Sequence, residues 1–214
     1  MFERFTSWKT TAPLKRYRVA KFKQRRQILT RRHLRTLDHV QIGGCTGLSF
    51  EWVRRHRLQR AERPGRRIDF LNTDRAWDDI NLFAQFFNSA TPQGNHADRI
   101  RRVAPNGCGL QRQDWVDEQD YQDFGLALRH FADNPGYHIV EMRFAQLVPN
   151  HICALHADAN GIALFDPNSG EYAVPPGQGA AFLRALAGQY ASYVSPRGQA
   201  IALTFRNLYF YHIG

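Results

Sequence analysis

Cysteine is scarce in this chain: three in 214 residues, at Cys45, Cys108 and Cys153. An odd, widely spaced set argues against a disulfide framework and for free thiols in a reducing compartment, where one of them can act as a nucleophile. Long apolar runs are missing too. None approaches the roughly 18–20 residues that span a bilayer as a helix. The opening stretch MFERFTSWKTTAPLKRYRVAKFKQRR has no apolar segment of the kind a Sec signal peptide needs, so export is expected to follow another route. There are no internal repeats and no low-complexity tracts.

Acidic residues are short in one region. Residues 1–40 carry 12 Lys/Arg against 2 Asp/Glu, which equals the +10 of the whole chain, and the remainder balances at 17 against 17. A second basic cluster, RRHRLQRAERPGRR, spans Arg54–Arg67. Such segregation suggests a polyanionic or membrane-surface partner, the plain alternative being a solvated basic helix and loop. The 43% hydrophobic and 13% aromatic content is enough for one well-packed core at this length, which argues against disorder.

Periodicity divides the chain into a helical part and a later sheet. Residues 14–37 read as one or two basic helices with an irregular apolar stripe of Leu14, Tyr17, Phe22, Leu29 and Leu37. Residues 45–59 read as a helix with Leu48 and Trp52 inward, broken by RPGRR. Arg75–Ala90 is a strongly amphipathic helix behind the capping triplet NTD. Residues 89–109 are rich in proline and glycine and read as loop, and Gln113–Gly136 reads as a helix or helix pair. Beyond Gly136 come short strands: YHIVEMRF, HICALHA, IALFDP, YAV, QAIALTF and LYFYHI. DANG (Asp158–Gly161) joins two of them as a tight hairpin. One helix, Gly177–Val194, interrupts the series. This order predicts an α+β fold with an antiparallel sheet. Trp52, Phe83, Phe86 and Phe87 are read as core.

The stretch QIGGCTGLSFEW carries the first chemical signal. A cysteine at the start of a helix meets unpaired N–H groups and the positive end of the helix dipole, both of which favour thiolate. Gly43 and Gly44 would allow a tight turn and a close approach by a substrate carbonyl, with the Cys45 N–H as one oxyanion donor. The other reading is a small buried residue at a helix start. The base must be one of nine histidines. His33, His39 and His56 lie in basic segments that disfavour imidazolium. In NHICALHADANGIALFDPNSGEY, His151 opens one strand and Asp166 closes its hairpin partner, so both sit at the hairpin's open end, where a carboxylate can fix the imidazole. His156 falls on the opposite face by alternation and reads as structural.

GGCTGLSFEW resembles the nucleophile segment G-x-C-x-x-L-S-x-x-W of the YopT/AvrPphB family of papain-like cysteine proteases. HICALHADANGIALFDPNSGEY is similar to that family's histidine strand, hairpin and following aspartate segment. The resemblance covers roughly residues 41–175. It implies a papain-like fold, in which a helical part bearing the cysteine packs on an antiparallel sheet bearing His and Asp. It also implies Cys45 as nucleophile, His151 as general base and acid, and Asp166 as orienting carboxylate. Papain-like sites often add a side-chain amide to the oxyanion hole, for which Gln41 is the nearest candidate. No cofactor or metal is expected. The implied organisation is a basic helical N-terminal extension, residues 1–40, before a protease domain, residues 41–214.

The family consists largely of bacterial effectors that cleave signalling proteins of the host, such as small GTPases or kinases, and some members cleave themselves. The resemblance therefore implies a secreted virulence protein with a host protein substrate, acting in the host cytosol. The basic N-terminus would then serve an anionic membrane surface, a secretion chaperone or self-processing. Three alternatives compete with this reading. The same triad runs glutamine deamidation, transglutamination and acyl transfer through a common thioester. A nucleic-acid-binding module would need a basic surface with stacking aromatics, and Phe5, Trp8, Tyr17 and Phe22 only interleave with Lys/Arg. A metal site on His151, Cys153 and His156 has no recognised zinc spacing.

Overall fold

A computed structural model of the chain describes residues 11–34, 37–89, 112–120, 124–145, 151–190, 192–194, 200–202 and 204–213. Cys108, His96 and the loop read over residues 90–109 lie outside these. The helices are α1 (Ala12–Lys15), α2 (Gln24–Thr30), α3 (Asp38–Leu58), α4 (Pro64–Leu71), α5 (Asp74–Ser89), α6 (Phe124–Asp133) and α7 (Gly179–Tyr190). The strands are β1 (Arg18–Lys21), β2 (Arg112–Asp120), β3 (Gly136–Phe144), β4 (His151–Asp158), β5 (Gly161–Asp166), β6 (Gly170–Val174), β7 (Ser192–Val194), β8 (Ala200–Ala202) and β9 (Phe205–Ile213). Seven strands form an antiparallel sheet in the order β1-β6-β5-β4-β3-β9-β2, and β7 and β8 pair separately.

Alternation along β4 sorts the interior into two layers. Ile152 and Ala154 join Leu48, Trp52, Trp77, Ile80 and Phe87 of α3 and α5 on one face. Cys153, Leu155 and Ala157 join Leu14, Phe131, Phe182, Leu186 and Tyr190 of α1, α6 and α7 on the other. A strand two residues per repeat turns its side chains to opposite faces, so one hairpin feeds both cores. This is the α+β, papain-like arrangement of a helical part on an antiparallel sheet.

The β4–β5 hairpin is closed by Ala159 and Asn160. The Asn160 N–H donates to Asp158 Oδ1 at 2.7 Å, an Asx turn, and Gly161 follows at φ +122°, a conformation open to glycine. Register runs Ala154↔Phe165 to Asp158↔Gly161, which brings His151 and Asp166 to the far end of the hairpin. Trp52, Phe83 and Phe87 are buried core residues, and the Phe86 side chain is outside the description.

Four readings of secondary structure change. The basic segment is not wholly helical: residues 18–21 form β1, paired to β6, and Leu14, Tyr17, Phe22 and Ile28 are buried while Leu29 is exposed. Isolated short basic helices gain little alone, whereas an edge strand borrows the sheet's hydrogen bonds. Helix α3 starts at Asp38 rather than at Cys45, running through Gly43 and Gly44. The segment read as helix over 113–136 is a strand, β2, followed by α6. The segment read as helix to Val194 ends at Tyr190, and β7 follows.

Candidate active site

The site lies where α3 crosses the open end of the β4–β5 hairpin. Cys45 projects from the interior of α3 and is nearly buried. Ser49, one helical turn further on, donates to the Ile152 carbonyl at 3.3 Å and pins α3 to the start of β4. Trp52, another turn along, donates its indole N–H to Glu171 Oε2 at 2.8 Å. Glu171 in turn takes a two-pronged ion pair from Arg67 of α4, at 2.8 and 3.1 Å, with both partners buried. One face of α3 is thus fixed to β4 and β6 at two successive turns.

On the hairpin, His151 Nε2 donates to Asp166 Oδ1 at 2.9 Å. Asp166 is fully buried, and a carboxylate there survives only with donors around it. It has them: the Asn168 N–H at 2.9 Å, the Ser169 hydroxyl, and the Tyr190 hydroxyl at 2.7 and 2.8 Å. The Tyr172 hydroxyl holds Ser169 at 2.7 Å. Burial pushes the Asp166 carboxyl up, but His151, Ser169 and the Asn168 N–H more than offset it and hold it below its ordinary value.

Cys45 forms a hydrogen bond with the His151 ring. Burial raises its thiol, yet that bond, the His151 charge, and smaller contributions from the Ile152 backbone and Thr46 bring it below its ordinary value. Burial lowers the His151 imidazolium, while the Cys153 sulfur, Asp166 and Cys45 hold it well above the usual histidine value. Burial pushes Cys153 itself up to about 12, so at neutral pH it is a thiol that reaches His151 by its hydrogen bond rather than by charge. The two directions agree: each lowers the cost of moving the sulfur proton to the imidazole.

The source of this activation differs from the sequence reading. Cys45 is not at a helix start, so the first-turn N–H groups and the dipole end are too far away to act on it. Its own N–H belongs to the ladder that runs back four residues, and is not an oxyanion donor. Gln41, one turn ahead of Cys45, is in α3, and its side chain lies outside the described residues.

Comparison with known proteins identifies the chain. Residues 92–204 match the model of the C58 peptidase family, described as Yersinia/Haemophilus virulence surface antigen. The chain belongs to this family. It is therefore a cysteine peptidase, and the matched span contains His151 and Asp166 while Cys45 precedes it. Its fold is similar to that of the Pseudomonas avirulence protein AvrPphB in a crystal structure, with TM-score 0.65 and 18% identity over 94% of this chain and 99% of that one. No curated protein sequence matches the chain.

Within this C58 peptidase the remaining candidates fall on either side of the sheet. His156 faces α3, with its ring 5.3 Å from His56 and 4.6 Å from Tyr137, away from His151. Cys153 is on the His151 face of β4, and the ligating atoms of His151, Cys153 and Asp166 lie within 4.8 Å of one another. These three would be the donor set for a metal ion, although His151 Nε2 and both Asp166 oxygens already have hydrogen-bond partners. Cys153 was weighed from sequence only as a metal ligand beside His156, and Tyr190 was not singled out. The spacing His-x-Cys on one strand signals the first, since residues two apart share a face. Nothing local signals Tyr190, whose position depends on how α7 packs.

Proposed function

We propose that Cys45 is the nucleophile of this cysteine peptidase, His151 its general base and acid, and Asp166 the group that orients His151. The observation that supports this most is the 2.9 Å bond from His151 Nε2 to Asp166 Oδ1, on a ring that also bonds Cys45. With Nε2–H committed to Asp166, His151 Nδ1 takes the Cys45 proton. The thiolate attacks the scissile carbonyl carbon, and the C–N bond breaks as the imidazolium gives its proton to the leaving amine. Water, deprotonated by His151, then adds to the thioester, and the carboxylic acid leaves as Cys45 is restored. Gln41 is retained as the candidate oxyanion donor.

We further propose a virulence effector with a host signalling protein as substrate, delivered by a non-Sec route and working in a reducing cytosol. The family description and the free thiols of Cys45 and Cys153 support this. Residues 11–34 contain no acidic residue and expose Lys15, Arg16, Lys21, Lys23 and Arg26, a surface suited to an anionic membrane face. We propose residues 41–214 as the protease domain, with α3 entering it from Asp38 and β1 of the preceding segment joining its sheet. Leu14 and Tyr17 are core residues, so self-processing that removed residues 1–40 would take both out of the core.

Incubating wild type, Cys45→Ala and Asp166→Asn with host-cell lysate and profiling peptide N-termini tests the reading. New termini are expected with wild type, none with Cys45→Ala, and slower release with Asp166→Asn, by on the order of 10²–10⁴. Gln→Glu mass shifts of about one dalton without new termini would move the reaction to a deamidase on the same thioester chemistry. Full activity in Asp166→Asn would remove Asp166 from the site.

A further inference from the structure

We infer that Tyr190 is a positioning residue of the active site, its hydroxyl bridging His151 and Asp166. Tyr190 ends α7 and is fully buried. Its oxygen lies 2.9 Å from His151 Nε2, 2.8 Å from Asp166 Oδ1 and 2.7 Å from Asp166 Oδ2. Only one assignment of protons satisfies all three contacts. The phenol O–H donates to the carboxylate, and the His151 Nε2–H is shared between Asp166 Oδ1 and the Tyr190 oxygen. The ring adds a fourth constraint: it lies against the His151 ring, with centroids 4.9 Å apart at 32°.

This arrangement does two things that the hairpin cannot. The hairpin supplies Asp166 with local donors, Asn168 and Ser169, which hold the carboxylate from its own turn. Tyr190 comes from a separate element on the α6–α7 side of the sheet and touches both members of the His–Asp pair at once. It therefore sets the angle of the imidazole to the carboxylate, and so the direction in which the opposite nitrogen faces Cys45. It also spares a buried carboxylate one missing donor. The other titratable groups around the pair are Cys153 on β4, Cys45 on α3, and Lys23 in the β1–α2 link, whose charge acts on Asp166.

The inference rests on the proposed roles of Cys45, His151 and Asp166, and its test is built to fail separately from theirs. Tyr190→Phe keeps the ring in its packing and removes only the hydroxyl. Its kcat/KM against pH is compared with wild type on a peptide substrate taken from the lysate profile, alongside Asp166→Asn and a melting curve of each. The expected result is a fall in kcat of about 10-fold or more with KM little changed. The acid limb of the profile is expected to move to higher pH, because a buried carboxylate that has lost a donor protonates more readily. A merely structural role would instead lower the melting temperature and scale activity equally at every pH, and that result would overturn the inference. Wild-type activity in Tyr190→Phe with a crippled Asp166→Asn would also overturn it while leaving the triad intact. Wild-type activity in both would sink the triad itself. As a check on the readout, Tyr172 bonds Ser169, which in turn bonds Asp166, so Tyr172→Phe should shift the limb less than Tyr190→Phe; an equal shift would also count against the bridge.

Discussion

The two elements that supply the site are held in different ways. The β4–β5 hairpin brings His151 and Asp166 together across 15 residues, by a two-residue turn, an Asx hydrogen bond and strict register. Helix α3 brings Cys45 to the same place by contacts that span the chain: Ser49 to Ile152 across 103 residues and Trp52 to Glu171 across 119. One half of the site is therefore a local construction and the other a tertiary one. The lesson is that activation of Cys45 depends on docking rather than on its own helix. Without α3 seated on β4, Cys45 has neither His151 nor a helix dipole to favour thiolate.

Breaking the tertiary half should have the largest effect on stability. Glu171→Ala leaves the Arg67 guanidinium buried without its carboxylate and Trp52 without its acceptor, and should cost about 3–5 kcal/mol in denaturant unfolding. Activity should fall further than stability accounts for, as α3 loosens. A variant as stable as wild type would show that α3 is seated by apolar packing alone. On the hairpin side, Gly170 sits at φ +125°, and a Cβ there would come within 2.1 Å of the Ala20 carbonyl oxygen of β1. Gly170→Ala should cost at least about 1–3 kcal/mol and unseat β1. Phe22 stacks near Phe165 at 5.5 Å, and the Gln24 N–H donates to the Pro167 carbonyl at 2.8 Å, so the Asp166 turn should loosen with it. Hydrogen exchange at Asn168 and Ser169 reads this directly, and unchanged protection there would detach β1 from the site.

How much of this was legible in advance follows the same division. Alternation and the DANG turn marked the hairpin, and the His151-to-Asp166 spacing was legible because period two and a tight turn leave little freedom. The start of α3 was not legible, because glycines read as a turn when only neighbours in sequence are weighed, whereas packing against β4 carries the helix through them. The strand β1 was hidden for a related reason: a basic run with irregular apolar spacing looks helical until an edge with open hydrogen bonds is available. Tyr190 contributes through a hydroxyl from a helix read only as an interruption of the strand series, and no pattern in that helix distinguishes it.

A third region, away from the catalytic end of the hairpin, sharpens the contrast. At the other end of β3, His138 is buried, donates to the Asn134 carbonyl at 2.8 Å and stacks on His212 with centroids 4.8 Å apart. Burial lowers it to about 3, against the Asn134 hydrogen bond and with help from His212, His130 and His156. The folded state holds this ring neutral, while the unfolded chain protonates it near its ordinary 6.5. Stability should therefore be complete above pH 6.5 and decline as pH falls toward 3. His138→Phe should flatten that decline in the denaturant midpoint, with little change at pH 7.5. An unaltered slope would assign acid sensitivity to other groups, such as His56, also lowered to about 3 by burial and the neighbouring Arg67 charge.

The most direct test of the account is the rate of Cys45 alkylation by iodoacetamide as a function of pH, with the labelled peptide identified by mass spectrometry. A Cys45 thiolate paired with His151 should keep its rate at pH values where an ordinary thiol, of pKa about 8.5, has already lost it, while buried Cys153 stays unlabelled. A rate that falls tenfold with each pH unit below about 8.5 would mean that Cys45 is an ordinary thiol, and the proposed pair would not exist.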